Sequence, residues 1–307
     1  MTLIPADTKD LKHQQDQHPS PTARETTNPF PNPILPNADE HNAAQFSPPP
    51  YSETDSNSHT LPLVDNHTEP SYSAPSKPEI SSPTTPRSNP ISAYSAVNLT
   101  GPLHITGAVK SSSSVTLKTH VRIDGKVGSS SYIWLEDEIL IDGKVDSSGK
   151  VTLRDGVRVE GKVDASGSVD LSNGIHVSDK VDASGAISLT GGARGIFIGG
   201  KVASSGGIDI AGRVEVLGPI KASGSIRIRS GEGKAVMKLG TKVEASSVAV
   251  EGDVEVSGNL YISKTLKLKG NLHVNGDLEI KGDLIMQKGN VVTVTGKRTI
   301  HGSIKEV

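Results

Sequence analysis

Between Gly252 and Met286 apolar residues recur at a fixed interval. Val254, Leu260, Leu266, Leu272, Leu278 and Leu284 lie six apart, and Val256, Ile262, Leu268, Val274, Ile280 and Met286 follow two positions behind each. Two apolar residues separated by one polar residue make a short strand with one buried face. Gly252, Gly258, Gly270, Gly276 and Gly282 mark the breaks, with Lys264 the one departure. Glycine or a Gly-Asx pair before each strand supplies a bend. Repetition of that unit at constant length predicts a β-solenoid.

The sixfold rule extends upstream. Val97, Leu103, Val109, Val115, Val121 and Val127 open a series that runs unbroken to Ile187. It slips by three residues in 190–195, by about five in 230–235, and by minus one before Val248. Small slips in a strict pattern are loops budding from corners. A longer period lies on top. Every third strand carries a small residue at its second apolar position: Ala93, Ser111, Ser129, Ser147, Ala165, Ala183, then Ser204, Ala222 and Ala245. Three strands of six make an eighteen-residue coil. The expected fold is all-β, a single-stranded three-faced parallel β-helix of about ten coils over residues 91–290. At about 4.8 Å per coil it forms a rod of roughly 50 Å. Residues 291–307 read as a cap or tail, since their apolar content is low and their charges are mixed.

The outward positions are ordered too. Lys126, Lys144, Lys162, Lys180 and Lys201 occupy one position in successive coils, with Lys242 later, and Asp146, Asp164 and Asp182 form an adjacent column. The sharper reading of the lysines is a basic stripe for an anionic lipid surface or polymer, hence peripheral membrane contact. The interleaved acids favour the other, a solvated ladder in which each pair contributes little.

Composition divides the chain. Seventeen of 19 prolines lie in residues 1–90, which carry a net charge of −6 against +4 for the remainder. The first segment has few aliphatic residues and cannot bury enough apolar surface to offset its chain entropy, so it reads as a disordered Pro/Ser/Thr-rich tail. Within it Pro48-Pro49-Pro50-Tyr51 has the Pro-Pro-x-Tyr form of a WW-domain ligand. A polyproline helix is already extended, and its rings dock between aromatic side chains. Ser82 and Thr85, each followed by proline, are candidate phosphorylation sites; composition alone also yields such pairs. The tail histidines have no regular spacing and imply no metal site.

Aromatic content of 3% agrees with a narrow interior. The absence of cysteine removes disulfides and thiolate chemistry. No signal peptide and no spanning run of about 20 apolar residues is evident, so a cytoplasmic location is expected. The near-neutral balance argues against nucleic acid as a partner. No cofactor is expected. Gly191, Gly192, Gly195, Gly199 and Gly200 lack the Lys-Ser/Thr of a phosphate-binding loop and fit a corner insertion better. Ser111–Ser114 and Ser129–Ser131 have no His/Asp partner pattern. Hexapeptide acyltransferases also wind three-sided coils, but they use a histidine base beside a projecting loop. The solenoid histidines here are His104, His120, His176, His273 and His301. Both His176 and His273 alternate with apolar residues and should point outward, and none lies in a long loop.

A Pro/Ser-rich segment followed by repeats such as IDGKVDSSGKVTLRDGVRVEGKVDASGSVDL resembles the bactofilins, the polymer-forming cytoskeletal proteins, over about 95–290. The resemblance implies a triangular β-helix that polymerises end to end without nucleotide. This solenoid is about twice the usual length for that family, and its one phenylalanine, Phe197, lies mid-rod. The expected function is therefore non-enzymatic: a structural rod that self-assembles through its ends. The alternatives are an adaptor recruiting a WW-containing ubiquitin ligase, and a hexapeptide-repeat acyltransferase.

Overall fold

The computed structural model describes residues 86–231 and 237–307. These residues form an all-β parallel solenoid without a helix. Each coil has three strands, exemplified by Val97–Thr100 on face A, Leu103–Ile105 on face B and Val109–Ser111 on face C. Every strand pairs in parallel with its equivalents one coil away, as Val127–Ser129 does with Val109–Ser111 and Val145–Ser147. Four longer strands, Ile187–Ile198, Ile208–Val216, Lys242–Glu251 and Asn259–Lys269, turn a corner and serve two faces each.

The winding has twelve coils rather than ten. It begins at Arg87–Ser88 and ends at Ile304–Glu306. The sixfold marker is lost after Met286 because two residues are added there: Leu272 pairs with Val292, Leu278 with Arg298 and Leu284 with Ile304, each twenty apart instead of eighteen. Gly289, with φ 88°, turns the chain at that insertion. Residues 291–307 thus supply the last coil. The other slips fall where expected. The three-residue insertion is a bulge between Gly191 and Ile196, and the five-residue one separates the Glu215↔Lys238 pair.

The core is a stack of aliphatic rungs. Val109, Val127, Val145, Val163 and Val181 form one column, all fully buried. Branched side chains suit this crowded pleated wall. Corners need close backbone approach. A Cβ on Gly143 would lie 2.7 Å from the carbonyl carbon of Gly125, one coil below, so a side chain there would push the two coils apart. The A-to-B corner uses consecutive left-handed residues instead: Thr119 and His120, Asp137 and Glu138, Asp155 and Gly156, Asn173 and Gly174. Asn and Asp tolerate that conformation, whereas threonine does so only under strain. Stacking supports it, since Asn173 Nδ2 donates to Asp155 Oδ1 at 2.7 Å.

Candidate functional site: inner serines, outer ladders and open ends

The small column on face C sits where the strand turns toward face A. Its serines are buried yet satisfied. Ser111 Oγ donates to the Ser95 carbonyl at 2.7 Å, Ser129 to Ser113 at 2.5 Å and Ser147 to Ser131 at 2.8 Å. Each oxygen also accepts from the backbone N–H two residues on, as from Gly149 to Ser147 at 3.1 Å. Ser204 repeats the arrangement with the Gly185 carbonyl and the Gly206 N–H. These hydroxyls are committed to holding the turn, which accounts for their recurrence without catalytic partners.

The predicted lysine column exists and is neutralised in place. Lys144 pairs with Asp146 at 2.5 Å, Lys162 with Asp164, Lys180 with Asp182, and Lys242 with Glu244. Lys201 reaches down one coil to Asp182 at 3.0 Å. Burial pushes the Asp182 carboxyl up, but the hydrogen bonds from Lys180 and Lys201 outweigh it and hold the group below the usual carboxylate range. Lys126 faces Gly128, so no acid stands two residues beyond it. Beside the aspartates an open groove of about 450 Å³ runs along face C, lined by Asp164, Asp182, Ser184 and Ser205 over Ala183 and Ser204. No histidine lines it.

Face B carries a cluster that pattern reading missed. Arg158, His176 and Phe197 occupy one outward column in successive coils. His176 points outward as expected but is only 6% exposed, because Phe197 stacks on its ring at 4.8 Å between centroids. Ser178 Oγ donates to Glu160 Oε2 at 2.7 Å, and so it accepts from His176 Nε2 at 3.2 Å. His176 Nδ1 is buried without a partner. Burial and the Arg158 charge push the imidazole pKa down, against an opposing pull from Glu160. The order carboxylate, hydroxyl, imidazole is not that of a nucleophilic triad, in which the imidazole stands between the other two. Phe197 was the available signal, since the insertion at 190–195 preserves the register that places it over His176.

The remaining histidines lie apart. His104 Nε2 contacts Asp124 at 2.8 Å, and His301 lies 3.9 Å from Glu279. Among the described residues no group of three or more His, Cys, Asp or Glu is arranged to hold a metal ion. No helix among them is long and apolar enough to cross a membrane. The bulge at Gly191 is a packing device: a Cβ there would lie 1.9 Å from the Arg213 carbonyl oxygen. Pro48, Pro49, Pro50, Tyr51, Ser82 and Thr85 lie outside the described residues.

The two ends differ from the middle. Interior strands are paired on both sides, whereas the first and last coils are paired on one side only among the described residues. Their rungs are partly exposed: Ile91, Ala93 and Leu99 at the start, Val292, Val294 and Ile300 at the finish. Ile304 is 54% exposed. Comparison with family models, with curated proteins and with solved structures finds no match. The fold itself is a β-solenoid of stacked coils, an architecture compatible with a structural role.

Proposed function

We propose that this protein is a non-enzymatic scaffold rod that associates end to end with further copies, in the manner the bactofilin resemblance implies. The observation that carries the reading is the pair of coil ends, each with backbone edges and apolar rungs that have no partner among the described residues. Such an edge is a template for another strand. The outer charges support it indirectly, because the Lys/Asp ladder is internally paired and leaves little excess charge along that face for a polyanion. Pro48–Tyr51 then serves as a recruiting ligand for a WW-domain protein on a cytoplasmic scaffold. Electron microscopy of the purified chain tests the reading. Rods joined at their ends are expected, and single rods at every concentration overturn it.

A further inference from the structure

The sequence holds two Asn-Gly pairs, at 173–174 and at 275–276. Glycine carries no Cβ, so its backbone nitrogen is the one most open to the side-chain amide of a preceding asparagine. We propose that Asn275 is a site of spontaneous deamidation, a self-modification that needs only water, and that the fold shields Asn173 from the same reaction. Asn173 is held at each atom the reaction uses. Its Nδ2 donates to Asp155 Oδ1 at 2.7 Å, and its Oδ1 accepts from the Arg194 N–H at 3.4 Å. The attacking nitrogen belongs to Gly174, which is buried and donates to the Gly195 carbonyl at 2.7 Å. Both residues are left-handed, with φ 54° and 78°, in a corner stacked between coils.

The second pair lacks these restraints. Asn275 follows the face B strand Leu272–Val274 and lies exposed at the corner leading to face C. Its one side-chain hydrogen bond among the described residues runs from Nδ2 to Glu255 Oε1 at 2.5 Å, and its Oδ1 accepts none. The Gly276 N–H has no acceptor among the described residues. The next amide, that of Asp277, takes Asn259 Oδ1 at 2.8 Å instead. No bond within the protein therefore holds the proton that has to leave.

Hydroxide removes the Gly276 amide proton. The nitrogen bonds to Asn275 Cγ, the Cγ–Nδ2 bond breaks, and the amide leaves as ammonia after taking a proton from water. Water then opens the cyclic imide at either carbonyl. One opening gives aspartate; the other gives isoaspartate, in which the main chain runs through Cβ and Cγ. In sum one water enters and one ammonia leaves, with no oxidation. Asp124 and Asp142 hold the equivalent place in earlier coils, where Arg122 pairs with both. At 275 the facing group is Glu255, so the new carboxylate meets a like charge across the coils. Isoaspartate also lengthens the main chain beside Gly276, where even a Cβ would lie 2.8 Å from the Gly258 carbonyl carbon. The reaction thus loosens this corner from its neighbours, including Gly296, whose N–H donates to the Gly276 carbonyl at 3.0 Å.

The full chain is incubated at neutral and at alkaline pH, folded and in denaturant, and peptides containing 173 and 275 are read by mass spectrometry. In the folded chain the exchange of NH2 for OH is expected at 275 and not at 173, faster at higher pH because hydroxide takes the amide proton. In denaturant both pairs are expected to react, since the protection of Asn173 is tertiary. Asn275→Gln is expected to abolish the change at 275, because the longer side chain must close a larger ring. Amide exchange at Gly296 is expected to quicken in the deamidated chain and in Asn275→Asp. Reaction at 173 ahead of 275 in the folded chain overturns the assignment. So does an Asn275 that stays intact in the folded chain over an incubation that converts it in denaturant. The same ratio of the two rates in both states overturns the protection by the fold. Unchanged exchange at Gly296 overturns the loosening of the corner.

Discussion

Ser147 Oγ donates a 2.8 Å hydrogen bond to the carbonyl of Ser131, sixteen residues earlier and one coil down. The same hydroxyl accepts from Gly149 N–H. One small side chain therefore fills the corner of face C, ties two coils together and shapes the turn into the next strand.

Ser147→Ala is expected to destabilise the rod by only about 1 kcal/mol, the net contribution of a typical intramolecular hydrogen bond. Ala165 and Ala183 already occupy the equivalent place. Ser147→Leu is expected to cost about 1–3 kcal/mol or more by overpacking. Denaturant unfolding of the two variants checks the order. Equal losses would mean that the column is not limited by volume.

His176 predicts an acid-sensitive mid-rod. Its pKa is lowered by burial in the folded chain, so the unfolded chain binds the proton first. Stability is then full above the ordinary histidine pKa of about 6.5 and falls as pH drops through it toward the folded value. Thermal unfolding of His176→Phe against the parent measures this. The variant is expected to keep its stability as pH falls below about 6.5, where the parent loses some.

The last coil responds to stronger acid. Asp283 accepts from Lys305 Nζ at 2.9 Å and from the Ser303 backbone N–H at 2.9 Å. The Lys305 hydrogen bond foremost, then those from Ser303, hold its carboxyl down to about 2. The contribution is full above the usual Asp value of about 3.9 and is lost as pH falls from there toward 2. Amide exchange at Ile304 is expected to accelerate across that window and to be fast throughout in Asp283→Asn.

Salt and charge removal are expected to leave the lysine ladder's contribution small. Lys162→Ala and Asp164→Ala should each shift stability by about 0–1 kcal/mol, since both side chains are partly solvated. A double-mutant cycle with a coupling well above that would show the ladder to be a structural brace.

Tyr51→Ala is expected to abolish binding of a WW domain to the full chain while leaving the unfolding transition of the solenoid unchanged. Calorimetric titration with an isolated WW domain reads the first and thermal unfolding the second. Undiminished binding would remove Pro48–Tyr51 from the proposed recruiting role.

Most of this architecture was legible in one dimension. A β-helix builds its core from residues two apart within a strand and eighteen apart between coils, so the pattern Val145, Ser147, Val163, Ala165 specifies burial, pairing partner and register together. The small column of face C and the bulge after Thr190 followed from the same arithmetic. Periodicity failed where spacing and chemistry changed at once. After Met286 two added residues broke the count, and Arg298 and Glu306 took places that Val, Leu or Ile hold elsewhere. Only pairing geometry identifies that stretch as a coil. Nor could spacing show that outward-facing His176 is buried, because its cover comes from Phe197 twenty-one residues later. The sequence by itself determined a three-faced rod with aliphatic rungs, since a repeat that buries one face per strand has few other ways to close. Tertiary structure decided which outward side chains lose their water and which end carries charge in its rungs, because both depend on what the neighbouring coil places within a few ångströms.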